Sequence, residues 1–141
     1  MAAVNPYLSF NGNCADAFNF YKDVFGNDFL AISRYSDIQI EHMSDPSESH
    51  KIMHVALPVG GNTILMGSDR PNMMGPGTEG NMFSVAIAAE SEGEADKLYN
   101  GLAAGGTVGM PMGKAPWGAY FGMCTDKFGI QWMINHDYNR Q

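Results

Sequence analysis

The feature that most limits how this chain can fold is that one order of signals occurs twice, on either side of the Gly/Pro-rich run Arg70 to Gly80, RPNMMGPGTEG. In the first half a β-prone stretch, Val4 to Phe10, ends at Asn11-Gly12. Cys14, Ala17, Phe18, Tyr21, Val24 and Phe25 then recur at helical spacing until Gly26 stops the pattern. Asn13 is expected to cap this helix, with Asp16 in its first turn. Phe29 to Tyr35 reads as a second strand, and the acidic polar segment Ser36 to Lys51 as a long loop. Ile52 to Val59 and Thr63 to Ser68 flank Gly60-Gly61-Asn62 and read as a hairpin.

Beyond the run the order repeats. Met82 to Ala88 reads as a strand, and Ser91-Glu92-Gly93-Glu94 matches the S-x-x-E capping box that opens a helix. Ala95, Leu98, Tyr99 and Leu102 form its apolar stripe, and Gly105-Gly106 ends it. Strands at Thr107 to Met112, Ala119 to Thr125 and Ile130 to His136 complete a second βαβββ unit. Each unit alone would leave one sheet face bare, so module one (about 1–69), a linker (about 70–80) and module two (about 81–141) are expected to form a single α+β domain. A length of 141 residues suits that size.

A hydrophobic fraction of 45% with 16% charged residues describes a packed globule. Net charge is −7, which repels phosphate backbones and excludes an electrostatic nucleic-acid interface, while suiting a cationic ligand. Cys14 and Cys124 show no C-x-x-C spacing and read as buried free thiols. No apolar run reaches membrane-spanning length and the start, MAAVNPYLSF, lacks signal-peptide character, so the expectation is a cytoplasmic protein without a membrane partner.

Three segments carry a family resemblance: PYLSFNGNCADAFNFYKDVFG (residues 6–26), ILMGSD (64–69) and TDKFGIQWMIN (125–135). They resemble the vicinal oxygen chelate superfamily, which includes glyoxalase I, extradiol dioxygenases and bleomycin-resistance proteins, and within it the PhnB-like branch. The resemblance implies paired βαβββ modules whose curved mixed sheet encloses a cup-shaped pocket, with helices on the outer face, in a homodimer. In the metal-dependent relatives, His, Glu or Gln side chains from the first, fourth, fifth and eighth strands hold a divalent ion that polarises vicinal substrate oxygens. Here those slots correspond to Pro6 or a neighbour, Met66, Phe83 give or take one residue, and Met133, none of them a ligand for such an ion. A register shift of one brings in Tyr7, Leu65, Met82, Ser84, Trp132 or Ile134, which does not supply ligands either. No metal ligand and no cofactor is predicted, with a divalent metal kept as the alternative. Related sequences have carried a methyltransferase label, but no strand here leads into a Gly-rich nucleotide-binding turn, so no S-adenosylmethionine site is expected.

His54, within an otherwise apolar strand, is the candidate catalytic or hydrogen-bonding residue, weighed against a histidine satisfied beside the core. His136 reads as structural, and His42 and His50 as solvated loop residues unless the loop folds over the cup. The methionines read as adaptable wall residues rather than a soft-metal site. Trp117, Tyr120, Phe121, Phe128 and Trp132 offer an aromatic surface for a flat or cationic ligand, or else stitch the strands to helices or a second subunit. Alternation separates Trp132 and Ile134 from Gln131, Met133 and Asn135, so only one set can face the cup. The turn Thr125 to Gly129 reads as a connection, with Asp126 and Gly129 serving geometry.

The predicted ligand-binding set is therefore Pro6, His54, Met66, Phe83, Trp117, Tyr120, Phe121 and Met133. The leading expectation is a metal-free cup for a small molecule, with drug sequestration as one version. The alternatives are a lyase, isomerase or dioxygenase, with a displaced-ligand metal site or with His54 alone, and an interaction protein whose aromatic surface is dimer interface.

Overall fold

The computed structural model describes residues 2–37 and 46–139. The chain divides into two compact units, Met1–Thr78 and Glu79–Gln141. Among the described residues, each holds a four-stranded mixed sheet and one α-helix.

In the first unit, β1 (Tyr7–Phe10), α1 (Cys14–Phe25), β2 (Ala31–Arg34), β3 (Ile52–Gly60) and β4 (Thr63–Asp69) form a sheet in the order β1-β4-β3-β2. Only β1 and β4 run parallel, because α1 carries the chain across the sheet between β1 and the rest. The helix buries Cys14, Ala17, Phe18 and Tyr21 against the face that presents Leu8, Phe10, Val55, Leu57 and Leu65. Gly67 belongs to that face by necessity: a Cβ there would stand 2.6 Å from the Phe18 ring and 2.8 Å from the Leu8 carbonyl oxygen. The helix stops at Gly26, whose φ of 75° is natural for glycine and whose N–H reaches the Lys22 carbonyl at 2.8 Å.

The helix start differs from the sequence expectation. Asn13 makes no side-chain cap bond. Instead Asp69, only 1% exposed, accepts from the N–H groups of Gly12 and Cys14 on Oδ1 (3.0 and 2.9 Å) and from Ile52 on Oδ2 (2.9 Å). One carboxylate thus joins the start of α1, the start of β3 and the end of β4, where a negative charge also complements the helix dipole.

The segment after β2 turns in a 3₁₀ helix at Tyr35–Asp37, and a second such turn at Pro46–Glu48 precedes β3. Glu48 anchors this end, accepting from the Asn72 N–H (2.6 Å) and from the Lys51 ammonium (3.2 Å). The run read as a linker is ordered on the first unit. Arg70 donates to the carbonyls of Gly75 (2.9 Å) and Met74 (2.8 Å), and Asn11 and Gly77 exchange two hydrogen bonds of 2.9 and 2.8 Å.

The second unit repeats the plan with β5 (Val85–Ala88), α2 (Glu92–Ala103), β6 (Thr107–Ala115), β7 (Ala119–Thr125) and β8 (Gln131–Asp137), in the order β5-β8-β7-β6. Again only the first and last strands, β5 and β8, are parallel. Ser91 caps α2 as expected, its Oγ accepting from the Glu94 N–H at 3.1 Å, while the Glu94 carboxylate takes the Glu90 N–H at 2.9 Å. Ala95, Tyr99 and Leu102 pack toward Cys124, Trp132 and Ile134. Edge strand β6 is longer than the sequence pattern, and its register on β7 breaks between Val108 and Met110 and again between Met110 and Gly113. Among the described residues no helix is long and apolar enough to cross a membrane.

Candidate functional site

Residues paired across neighbouring strands share a sheet face, so the ladders define which side chains stand on the face opposite each helix. In the first unit, Tyr7 and Ala56 both pair with Met66, and His54 pairs with Ser33. Tyr7, Ser33, His54, Ala56, Met66 and Ser68 therefore occupy the helix-free face. The Tyr7 and His54 rings lie 6.1 Å apart at 31°. His54 and Met66 are half-buried, and Tyr7 is exposed. Of the sequence candidates, His54 and Met66 thus share this face. Pro6 precedes the strand and meets β4 through its carbonyl, which accepts from the Met66 N–H at 3.0 Å, so the side chain beside Met66 is that of Tyr7.

The second unit presents a matching arrangement. Met133 pairs with Ala86 on one side and with Met123 on the other, while Phe121 pairs with Asn135 and Thr125 with Gln131. Just before β7, the exposed Trp117 meets Phe121 edge-on, with ring centroids 5.4 Å apart. Trp117, Phe121 and Met133 are consequently brought to one face.

Two predicted site residues are not. Tyr120, adjacent to Phe121 in the chain, points the opposite way, and its hydroxyl donates to Asp96 on α2 at 2.6 Å. That bond, with burial and nearby negative charge behind it, pushes the phenol up to about 12. Phe83 lies before β5 rather than in it, because the Gln131 side-chain amide binds the carbonyls of Phe83 (2.7 Å) and Gly80 (3.1 Å). Its ring is exposed.

The turn between β7 and β8 is built around Asp126. This buried carboxylate accepts from the N–H groups of Phe128 and Ile130 on Oδ1 and from the Trp132 indole N–H on Oδ2. Gly129 completes the turn at φ 91°. Trp132 is thereby committed to the helix face, and the turn is structural. The thiols are likewise remote from chemistry: burial, assisted by Asp126, pushes Cys124 up to about 11, and burial followed by Asp69 raises Cys14 further. His136 sets Nδ1 3.0 Å from the Ala89 carbonyl, and His50 offers its carbonyl to Arg34. His42 lies outside the described residues.

Among the described residues, no three His, Cys, Asp or Glu side chains gather as a metal site would require. At the slots named above the structure sets Met66 beside Tyr7 and Met133 beside Ala86. A thioether next to a phenol or a methyl group does not fit a hard or borderline divalent ion.

The family model of the Glyoxalase/Bleomycin resistance protein/Dioxygenase superfamily matches residues 3–134. The chain belongs to this superfamily. Protein YjdN of Escherichia coli is 29% identical over 94% of this chain and 93% of its own length. Among solved structures, protein PA1353 from Pseudomonas aeruginosa is 38% identical, with a TM-score of 0.83 over 97% of this chain and 98% of its own. A Bacillus cereus PhnB protein described as a putative 3-demethylubiquinone-9 3-methyltransferase is 27% identical, with a TM-score of 0.74 over 96% and 99%. The superfamily's two βαβββ modules, expected from the resemblance, are thus present here, each with its own sheet and helix.

Proposed function

We propose that this superfamily member binds a small organic molecule on the helix-free face of a module's sheet and does so without the divalent metal of its metal-dependent relatives. The observation that carries the reading is the pair Met66 and Met133. Each sits on the fourth strand of its module, opposite the first strand, where metal-dependent relatives place ligands. Methionine offers an unbranched, polarisable side chain that conforms to irregular apolar ligands. Tyr7 and His54 in one module, and Phe121 and Trp117 in the other, add aromatic surface beside it. His54 is the polar group that would orient the ligand or exchange a proton with it.

The test is thermal unfolding of chelator-stripped protein with and without Mg²⁺, Mn²⁺, Fe²⁺, Ni²⁺ and Zn²⁺, with bound metal measured by elemental analysis. A specific ion that binds the native state raises the midpoint by linkage. The expected result is no saturable shift and no stoichiometric metal. Stabilisation saturating at one ion per subunit and abolished by His54→Ala would overturn the metal-free reading in favour of a metal enzyme.

A further inference from the structure

The second unit holds an open hollow of about 370 Å³ lined by Glu79, Gly80, Asn81, Thr125, Gly129 and Gln131. Its size is within the range of small-ligand sites. Its chemistry is lopsided. Both N–H bonds of the Gln131 carboxamide are taken by the carbonyls of Gly80 and Phe83, which leaves its oxygen to act as an acceptor. The Glu79 carboxylate is exposed and has no ion-pair partner among the described residues. It rests against Gly129, where a Cβ would collide with it, so the glycine required by the positive φ also makes room for the acid. The residues lining the hollow therefore bring a carboxylate, a carboxamide whose uncommitted group is its oxygen, a threonine and the Asn81 amide, and no cationic side chain. A donor-rich cation satisfies that set, and an anion does not.

The hollow also continues a surface already described. Thr125 and Gln131 pair with each other on the face that carries Met123 and Met133 two residues further along each strand. We propose that this hollow seats the ammonium group of a primary amine whose apolar body lies on Met123 and Met133. The proposal rests on the apolar-face reading above and adds the class of ligand: an amphipathic amine, drawn toward a chain of net charge −7.

The test compares 2-phenylethylamine with its neutral isostere 2-phenylethanol, following the methionine methyl resonances of the protein and of its Glu79→Gln variant. The amine is expected to bind the native protein about fivefold more tightly than the alcohol, the scale of a partly solvated charge-assisted bond. Glu79→Gln should remove that advantage and leave alcohol binding unchanged. Equal binding of the two compounds, with both shifting the Met123 and Met133 methyls, would overturn the amine site and leave the apolar face standing. A Glu79-dependent preference for the amine without shifts at those methyls would establish the ammonium site but overturn the apolar seat. Binding of neither compound would overturn the proposal.

Discussion

The indole N–H of Trp132 donates to Oδ2 of the buried Asp126 across 2.8 Å, six residues back along the chain. The other oxygen of the same carboxylate takes two backbone N–H groups of the intervening turn. Asp126→Ala should therefore strip three donors at once and destabilise the protein by about 2–4 kcal/mol in urea unfolding. Trp132→Phe combined with Asp126→Asn should cost less than the sum of the two single changes, since each removes the same bond.

Asp69 is the equivalent anchor in the first module, with both oxygens committed to backbone N–H groups. Asn supplies one acceptor oxygen and turns an NH₂ group toward a donor. Asp69→Asn should lower stability by about 2–3 kcal/mol, and Asn13→Ala by much less, because Asn13 does not cap the helix. Equal losses in the two variants would count against this account.

Tyr120 ionises at about 12 in the folded protein, held there first by its bond to Asp96. Because the folded value lies above the unfolded one, this contribution is complete below the unfolded pKa, near 10, and is lost as pH climbs toward 12. Stability measured by urea unfolding should fall across that window, more shallowly in Asp96→Ala. Ultraviolet titration should show the late ionisation of Tyr120 moving earlier in the same variant.

Both thiols are buried, and both have pKa values raised by that burial. A thiolate-selective disulfide reagent at about pH 8 should find them unreactive in the native protein and titrate both in denaturant. Rapid native reaction of Cys124 would show that the β7 surface opens readily.

Much of the fold was legible because its signals are local: the helix stop at Gly26, the Ser91 cap and the repeated strand order all lie within a few residues of the elements they set. The cap of α1 was not, since Asp69 reaches it from 55 residues away in sequence. At the candidate site the limit was parity. Tyr120 and Phe121 are neighbours, and strand alternation sends neighbours to opposite faces, so composition alone placed both in one aromatic surface. Phe83 fell outside its predicted strand because a side-chain amide, Gln131, captured its carbonyl. The turn role of Asp126 was readable, but not the indole that fills its second oxygen.

The irregular register of β6 has a consequence for how this protein survives at high concentration. A nine-residue strand at a sheet edge, exposing Val108 and Met110 and carrying one charged residue, Lys114, is the kind of surface on which other chains add strands. Two breaks in its ladder and the missing N–H of Pro111 deny an incoming strand a continuous template. Protection against fibrillar growth is thus written into the backbone of that edge, and restoring a regular Thr107–Ala115 ladder would turn a silent border into a nucleus for aggregation.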